Sequence, residues 1–414
     1  MSLSRQISNP RHLTLLGFLL LGSFLTRFVY FGWPDSAIID EINFGKYLSS
    51  YFTHQYYLDV HPPLGKLIVA GFASFFDFEP ILYGTDWRQE YTDNNYLILR
   101  FMPTLFGVLF PLIIYLLAFQ WWKDRKLAFF VALLLVFENA LITQSRFLFW
   151  DSFLLCFGFA SLLFYSYYRE HRRWRYLIIC GLFAGAAVSI KWTAATFIAL
   201  PLLMDGVDFL RRRLKWHELA KTSALVLSMA LLVYASVFYI HFSLLPLSGT
   251  GNAFMSQEFR MGLEGNRYTE NQQAEPQLSF VQKFTELNRR MYLTNQRMRD
   301  HPYGSKWYQW PLGEKAVGYW RRGELDIAMQ PNLVVWWAGS LSMLLLIAAA
   351  VLRPANWRDP LLWFLLAGYA MNWLPFALIQ RVMFLHSYFV AMIFSLLAMG
   401  WLINRLPWWK QHYG

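Results

Sequence analysis

Two neighbouring carboxylates, Asp40 and Glu41, sit in PDSAIIDEINFGKYLSSYF, where Phe44, Tyr47, Leu48, Tyr51 and Phe52 recur at helical spacing. The pattern predicts a helix lying along a membrane surface and beginning near the acidic pair. Acids in a first turn complement a helix dipole, which is the bland account of the pair. Ile38, Ile39 and Ile42 point to a second one, because apolar neighbours strip water from a carboxylate and raise its basicity. A general base is the chemistry that would follow.

The cations fall at separate turns: Arg100, Arg146 beside Asp151, Lys191, and Arg381 with His386. Each alone could be a long side chain reaching its own interface. Gathered on one face, they would instead take up the charge of a shared anionic ligand. Between the acids and Arg100 lies DVHPPLGK (59–66), whose prolines hold His61 and Pro62 extended and let a helix start afterwards, with Lys66 before an apolar run ending near Phe76. Further on, HPYGSKWYQWPL (301–312) sets Lys306 among Trp307 and Trp310, rings that suit either a sugar or peptide path or an interfacial belt. No phosphate-binding P-loop, HExxH or GxSxG pattern occurs, so ATP-driven, zincin and serine-hydrolase chemistries lack support.

What must position these residues is a membrane scaffold. Of 414 residues, 56% are hydrophobic, 19% aromatic and only 15% charged, which excludes an ordinary soluble enzyme and a disordered chain. The net charge of +11 fits basic cytoplasmic loops and need not mean nucleic acid. Cys156 and Cys180 lie in apolar runs and read as small core hydrophobes.

A crossing needs roughly 20 apolar residues. Candidates lie near 13–31, 97–119, 127–143, 151–168, 219–245, 331–352, 361–379 and 382–403, and 176–206, interrupted by Lys191, reads as two short helices. Ten crossings result: an all-α polytopic membrane protein with two large extracytoplasmic loops. Residues 1–245 form an N-terminal membrane region whose first outer segment (32–96) carries the candidate catalytic pair. Residues 246–330 form a second outer segment, and 331–414 a C-terminal membrane region. The first segment lacks a signal-peptidase site and is expected to remain as an anchor. The short basic loops at 121–126, 169–175, 211–215 and 353–359 then all face the cytoplasm.

In order along the chain, DEINFGKY, DVHPPLGK, the YLILR ending in Arg100, TQSRFLFWD, SIKWTA, SKWYQWPL and RVMFLHSY resemble the protein O-mannosyltransferase family of GT-C membrane glycosyltransferases, from about residue 25 to 400. The resemblance implies inverting transfer of mannose from a polyprenyl-phosphate mannose donor to Ser or Thr hydroxyls of secreted or membrane proteins, at the outer face of the cell membrane. It makes Asp40 the general base, Glu41 its essential neighbour and Arg100 an active-site cation. His61, Lys66, Arg146, Lys191, Arg381 and His386 are expected around the donor phosphate, and Lys306, Trp307 and Trp310 along the acceptor path. No cofactor is required beyond the lipid-linked donor; carboxylates 40 and 41 could bind Mg²⁺, which the mechanism does not need.

The chain also departs from the family. Residues 246–330 are too short for an inserted β-trefoil, which points to a bacterial-type enzyme. Ser387 stands where a second His is common, and the sequence ends one hydrophobic segment sooner than many members. A related enzyme moving a sugar onto a glycolipid or glycan is the nearest alternative. A transporter ranks lower, because transporters gather polar residues near the midplane.

Overall fold

The computed structural model describes residues 10–80, 90–266, 278–298 and 301–412. Its N-terminal half runs α1 (Pro10–Phe28), α2 (Glu41–Thr53), α3 (Leu64–Ala73), α4 (Asn95–Trp122), α5 (Arg125–Val136), α6 (Asn139–Ser145), α7 (Asp151–His171) and α8 (Trp174–Val188). A 3₁₀ turn, Trp192–Ala195, leads into α9 (Thr196–Leu210) and α10 (Trp216–Leu244). The described part of residues 246–330 holds the short α11 (Gln257–Met261), α12 (Phe280–Gln296) and a hairpin of β1 (Val317–Arg322) and β2 (Leu325–Met329). It is followed by α13 (Leu333–Leu352), α14 (Pro360–Trp373), α15 (Phe389–Ile403) and α16 (Pro407–His412).

Among the described residues six helices are long and apolar enough to cross a membrane, and α5 with α6 makes a seventh if that pair counts as one span. The helices α1, α7 and α8 occupy the other places where crossings are expected. Two expectations change. Residues 127–143 do not form one straight helix, because the chain bends by 61° between α5 and α6. There Glu138 accepts the Leu141 N–H at 2.6 Å, and Arg27 donates to the carbonyls of Leu135 and Val136 that end α5. Nor is the fold wholly helical, since β1 and β2 pair antiparallel.

The stretch 176–206 does break in two, at Ser189–Lys191. That break returns the chain to the end it started from. Arg169 meets Asp208 at 2.6 Å, Lys123 meets Glu170 at 2.7 Å, and Trp409 donates to Asp124 at 2.7 Å. These contacts join the basic turns near 123, 170 and 212 and the last described helix at one end of the bundle. The candidate site residues share the opposite end.

Helix α8 crosses α10 at backbone distance. Gly181 and Gly185, four residues apart, face Val226 and Ala230, and a Cβ on Gly185 would stand 2.6 Å from the Ala230 backbone. In lipid, where burial of apolar surface drives little, such small-residue seams let helices gain van der Waals contact. Both cysteines are free and buried, as expected.

Candidate active site

Helix α2 starts where the sequence predicts it, with Asp40 at its N-cap position, but the Asp40 side chain makes no capping bond. It lines a cavity of about 160 Å³ whose wall also carries His61, Asp151, Lys191, Arg381 and His386. Asp40 is exposed, and the solvent it meets lies on the side of this cavity. Loss of water raises its pKa above the ordinary carboxylate range, against the pull of His301 and Lys191 and with a small push from Asp59.

Glu41 faces elsewhere. Buried at 1% exposure, it receives Arg100 through Nε (2.8 Å) and Nη2 (2.6 Å), and its oxygens also accept the Leu148 N–H and the Tyr91 hydroxyl. The remaining Arg100 donors go to the carbonyls of Gly32, Pro34 and Ser36. Arg100 is therefore spent on fixing the 32–41 loop and does not line the cavity, contrary to its expected role as an active-site cation. The two adjacent carboxylates likewise do not present a joint pair of ligands to one ion.

In DVHPPLGK, Lys66 is buried and paired with Asp59, and its ammonium also donates to the carbonyls of His61 and Pro62 at 3.1 and 3.2 Å. Burial favours the neutral acid at Asp59, but the Lys66 ammonium, with the His61 backbone N–H, outweighs it and holds the carboxyl below its usual range. Lys66 thus staples the turn and leaves the cavity wall to His61. Burial, opposed by Asp59 and aided by Lys191 and Lys66, pushes the His61 pKa down to about 3, so its ring is neutral.

Lys191 holds Asp151 at 2.7 Å, and the other Asp151 oxygen accepts from Gln144 at 2.6 Å. Arg381 donates only to the neighbouring Val382 carbonyl, at 3.1 Å, among the described hydrogen bonds. Arg146 lies apart, bound to the Tyr30 carbonyl at 2.6 Å. Three buried polar atoms of the cavity residues, Trp150 Nε1, Asn295 Oδ1 and His386 Nδ1, find no hydrogen-bond partner among the described residues.

An open groove adjoins the cavity and shares Arg381 and Met383 with it; Lys306, Trp307 and His301 lie along this groove. Trp310 does not. It is fully buried, donates to Ser305 at 2.8 Å and packs on Phe376, so it is a core residue and not part of a path. Sequence reasoning missed Gln144, Asn295 and His301. Gln144 and His301 lie in segments that the sequence singled out, TQSRFLFWD and HPYGSKW, but Asn295 lies in none.

The chain matches the dolichyl-phosphate-mannose-protein mannosyltransferase family over residues 17–246, and the C-terminal four TMM region of protein-O-mannosyltransferase over residues 280–413. Dolichyl-phosphate-mannose-protein mannosyltransferase 1 of Candida albicans is 29% identical over 64% of this chain and 32% of its own length. Its Saccharomyces cerevisiae namesake is 29% identical over 67% of this chain and 36% of its own. The chain thus matches about a third of the length of these curated relatives. The S. cerevisiae protein O-mannosyltransferase Pmt1-Pmt2 complex bound to the sugar donor has the same fold, with a TM-score of 0.85 and 18% identity over 96% of this chain and 85% of that one. The Archaeoglobus fulgidus oligosaccharyltransferase is more distant, with a TM-score of 0.57 and 15% identity over 98% of this chain and 52% of that one.

Proposed function

The chain belongs to the dolichyl-phosphate-mannose-protein mannosyltransferase family, and on that footing we propose that it transfers mannose from a polyprenyl-phosphate mannose to Ser or Thr hydroxyls of an acceptor polypeptide. The observation that carries this reading is the single cavity in which a carboxylate of raised pKa faces Lys191 and Arg381, beside a groove that shares Arg381.

In this mechanism Asp40 accepts the proton of the acceptor hydroxyl as its oxygen attacks the anomeric carbon, and the bond to the lipid phosphate breaks on the opposite face, which inverts the centre. A raised pKa suits Asp40 to the task, since a stronger base takes the proton further in the transition state. The leaving phosphate gains charge as the bond breaks. Arg381 offers it a planar fork and Lys191 a point charge, and cations held in place in the cavity wall stabilise that growing charge more than the ground state. Neutral His61 and the unpartnered atoms of Trp150, Asn295 and His386 are the groups available to sugar hydroxyls. The acceptor chain lies along the groove at Trp307 and Lys306, and the site faces the outside of the cell membrane.

Incubating the purified protein with dolichyl-phosphate mannose and a Ser/Thr peptide, followed by mass spectrometry, tests the proposal. A hexose on the peptide hydroxyl is expected. Transfer to a glycolipid with none to peptide would move the chain to a sister activity.

A further inference from the structure

Hairpin residue Tyr319 is the extra residue of a β-bulge. Gly318 pairs with Ala328 and Trp320 with Ile327, which leaves Tyr319 unpaired between them. A bulge bends its strand and re-aims a side chain, and it lets Tyr319 and Trp320 both be buried although they are consecutive. The Tyr319 carbonyl is thereby turned away from the hairpin, while its hydroxyl, 3.3 Å from Met329 Sδ on β2, reaches beyond the hairpin on its other side. Its carbonyl accepts the Ile39 N–H at 3.3 Å, one residue before Asp40. Its hydroxyl donates to Gln144 Oε1, and the Gln144 amide donates to Asp151, which holds Lys191. Trp320 adds a bond to Ser36 at 2.8 Å from the same strand.

We infer that Tyr319 is a positioning residue that links the second outer segment to both sides of the cavity, setting Asp40 through its carbonyl and Lys191 through the chain Gln144–Asp151. The inference rests on the mannosyl-transfer reading for its consequence, though not for its geometry. The direction of the chain follows from donor and acceptor types. Asp151 is an acceptor on both oxygens, so Gln144 must present its NH₂ there and its carbonyl to Tyr319. A hydroxyl donor at position 319 is what makes that orientation the stable one. Without it the buried Gln144 carbonyl is left unpaired, the amide turns to find a partner, and Asp151 loses one of the two bonds that fix it. Lys191 then loses its fixed place on the cavity wall.

Tyr319→Phe keeps the ring, which packs on Phe149, and removes the hydroxyl alone. Two measurements on the purified full chain test the link. The first is the acetylation rate of Lys191 by an amine-reactive ester, read by peptide mass spectrometry with Lys315 as reference. It is expected to rise severalfold in Tyr319→Phe and in Gln144→Met, which cuts the same chain at its middle and guards against misfolding of the first variant. The second is the affinity for dolichyl-phosphate mannose, expected to weaken about tenfold, the effect of one buried hydrogen bond. In an Asp151→Asn background Tyr319→Phe should add nothing to either readout. An unchanged Lys191 rate in both variants overturns the inference, as does an undiminished effect in the Asp151→Asn background. If wild type fails to bind or use the donor, the mannosyl-transfer reading fails while the acetylation rate still decides the link.

Discussion

Arg100 grips Glu41 through two parallel hydrogen bonds, Nε to Oε1 at 2.8 Å and Nη2 to Oε2 at 2.6 Å, with both side chains 1% exposed. The fork is the reason Asp40 and Glu41, adjacent in sequence, have separate tasks. One carboxylate is locked into the fold and the other faces the cavity.

Replacing Arg100 by Lys keeps the charge but not the fork. Turnover should fall and thermal stability drop, while donor affinity changes little, because Arg100 lies outside the cavity. Arg100→Ala should cost about 3 to 5 kcal/mol of stability, the usual result of orphaning a buried partner. A large loss of donor affinity with unchanged melting temperature would return Arg100 to the phosphate site.

Asp40→Asn should abolish transfer and leave the protein folded, since an amide cannot take the hydroxyl proton. The raised pKa gives a sign to two further effects. In wild type, the single-turnover rate should fall as pH drops through a value above the ordinary carboxylate range, where the base becomes protonated. An acid whose pKa is raised by folding destabilises the fold above its folded pKa and not below its unfolded one. The melting temperature of Asp40→Asn at neutral pH should therefore equal or exceed that of wild type. Near wild-type kcat in the variant would remove Asp40 as the base.

Arg381→Lys should weaken donor binding and slow the single-turnover rate, with Arg353→Lys unaffected as a control among the basic turns. A side chain that merely reaches the interface would tolerate Lys freely. Unchanged values at both positions would take Arg381 out of the site.

Single cysteines introduced at Lys123, Arg172 and Arg212, in a chain lacking Cys156 and Cys180, should resist an impermeant thiol reagent applied from outside, whereas one at Lys315 should react. Companion positions at Asp86 and Tyr268 lie outside the described residues, so Lys315 carries the outer arm. Labelling at 212 from outside would reverse the orientation.

The long apolar helices were legible because apolar length is a one-dimensional property, and Lys191 marked the break between α8 and α9. The bend at Glu138 was not, since an apolar run does not reveal a carboxylate that caps a helix within it. The isoleucine neighbours marked the acidic pair but not which member faces the cavity; only the fold separates Asp40 from Glu41. Arg100 and Lys66 could not be separated from the cavity cations, because the buried partners that hold them off the cavity wall, Glu41 and Asp59, lie 59 and 7 residues away. Gln144 was illegible for the same reason: its meaning comes from Tyr319, 175 residues further on.

Arg381 and Met383 belong to the enclosed cavity and to the open groove at once. A sugar moving between two molecules seated in these compartments travels past the thickness of one side chain, and both molecules can be in place before it moves. No covalent stopover on the enzyme is then required. Steady-state data with donor and acceptor varied together should give intersecting double-reciprocal lines, the pattern of a direct handover in a ternary complex, and not the parallel lines of a two-stage exchange.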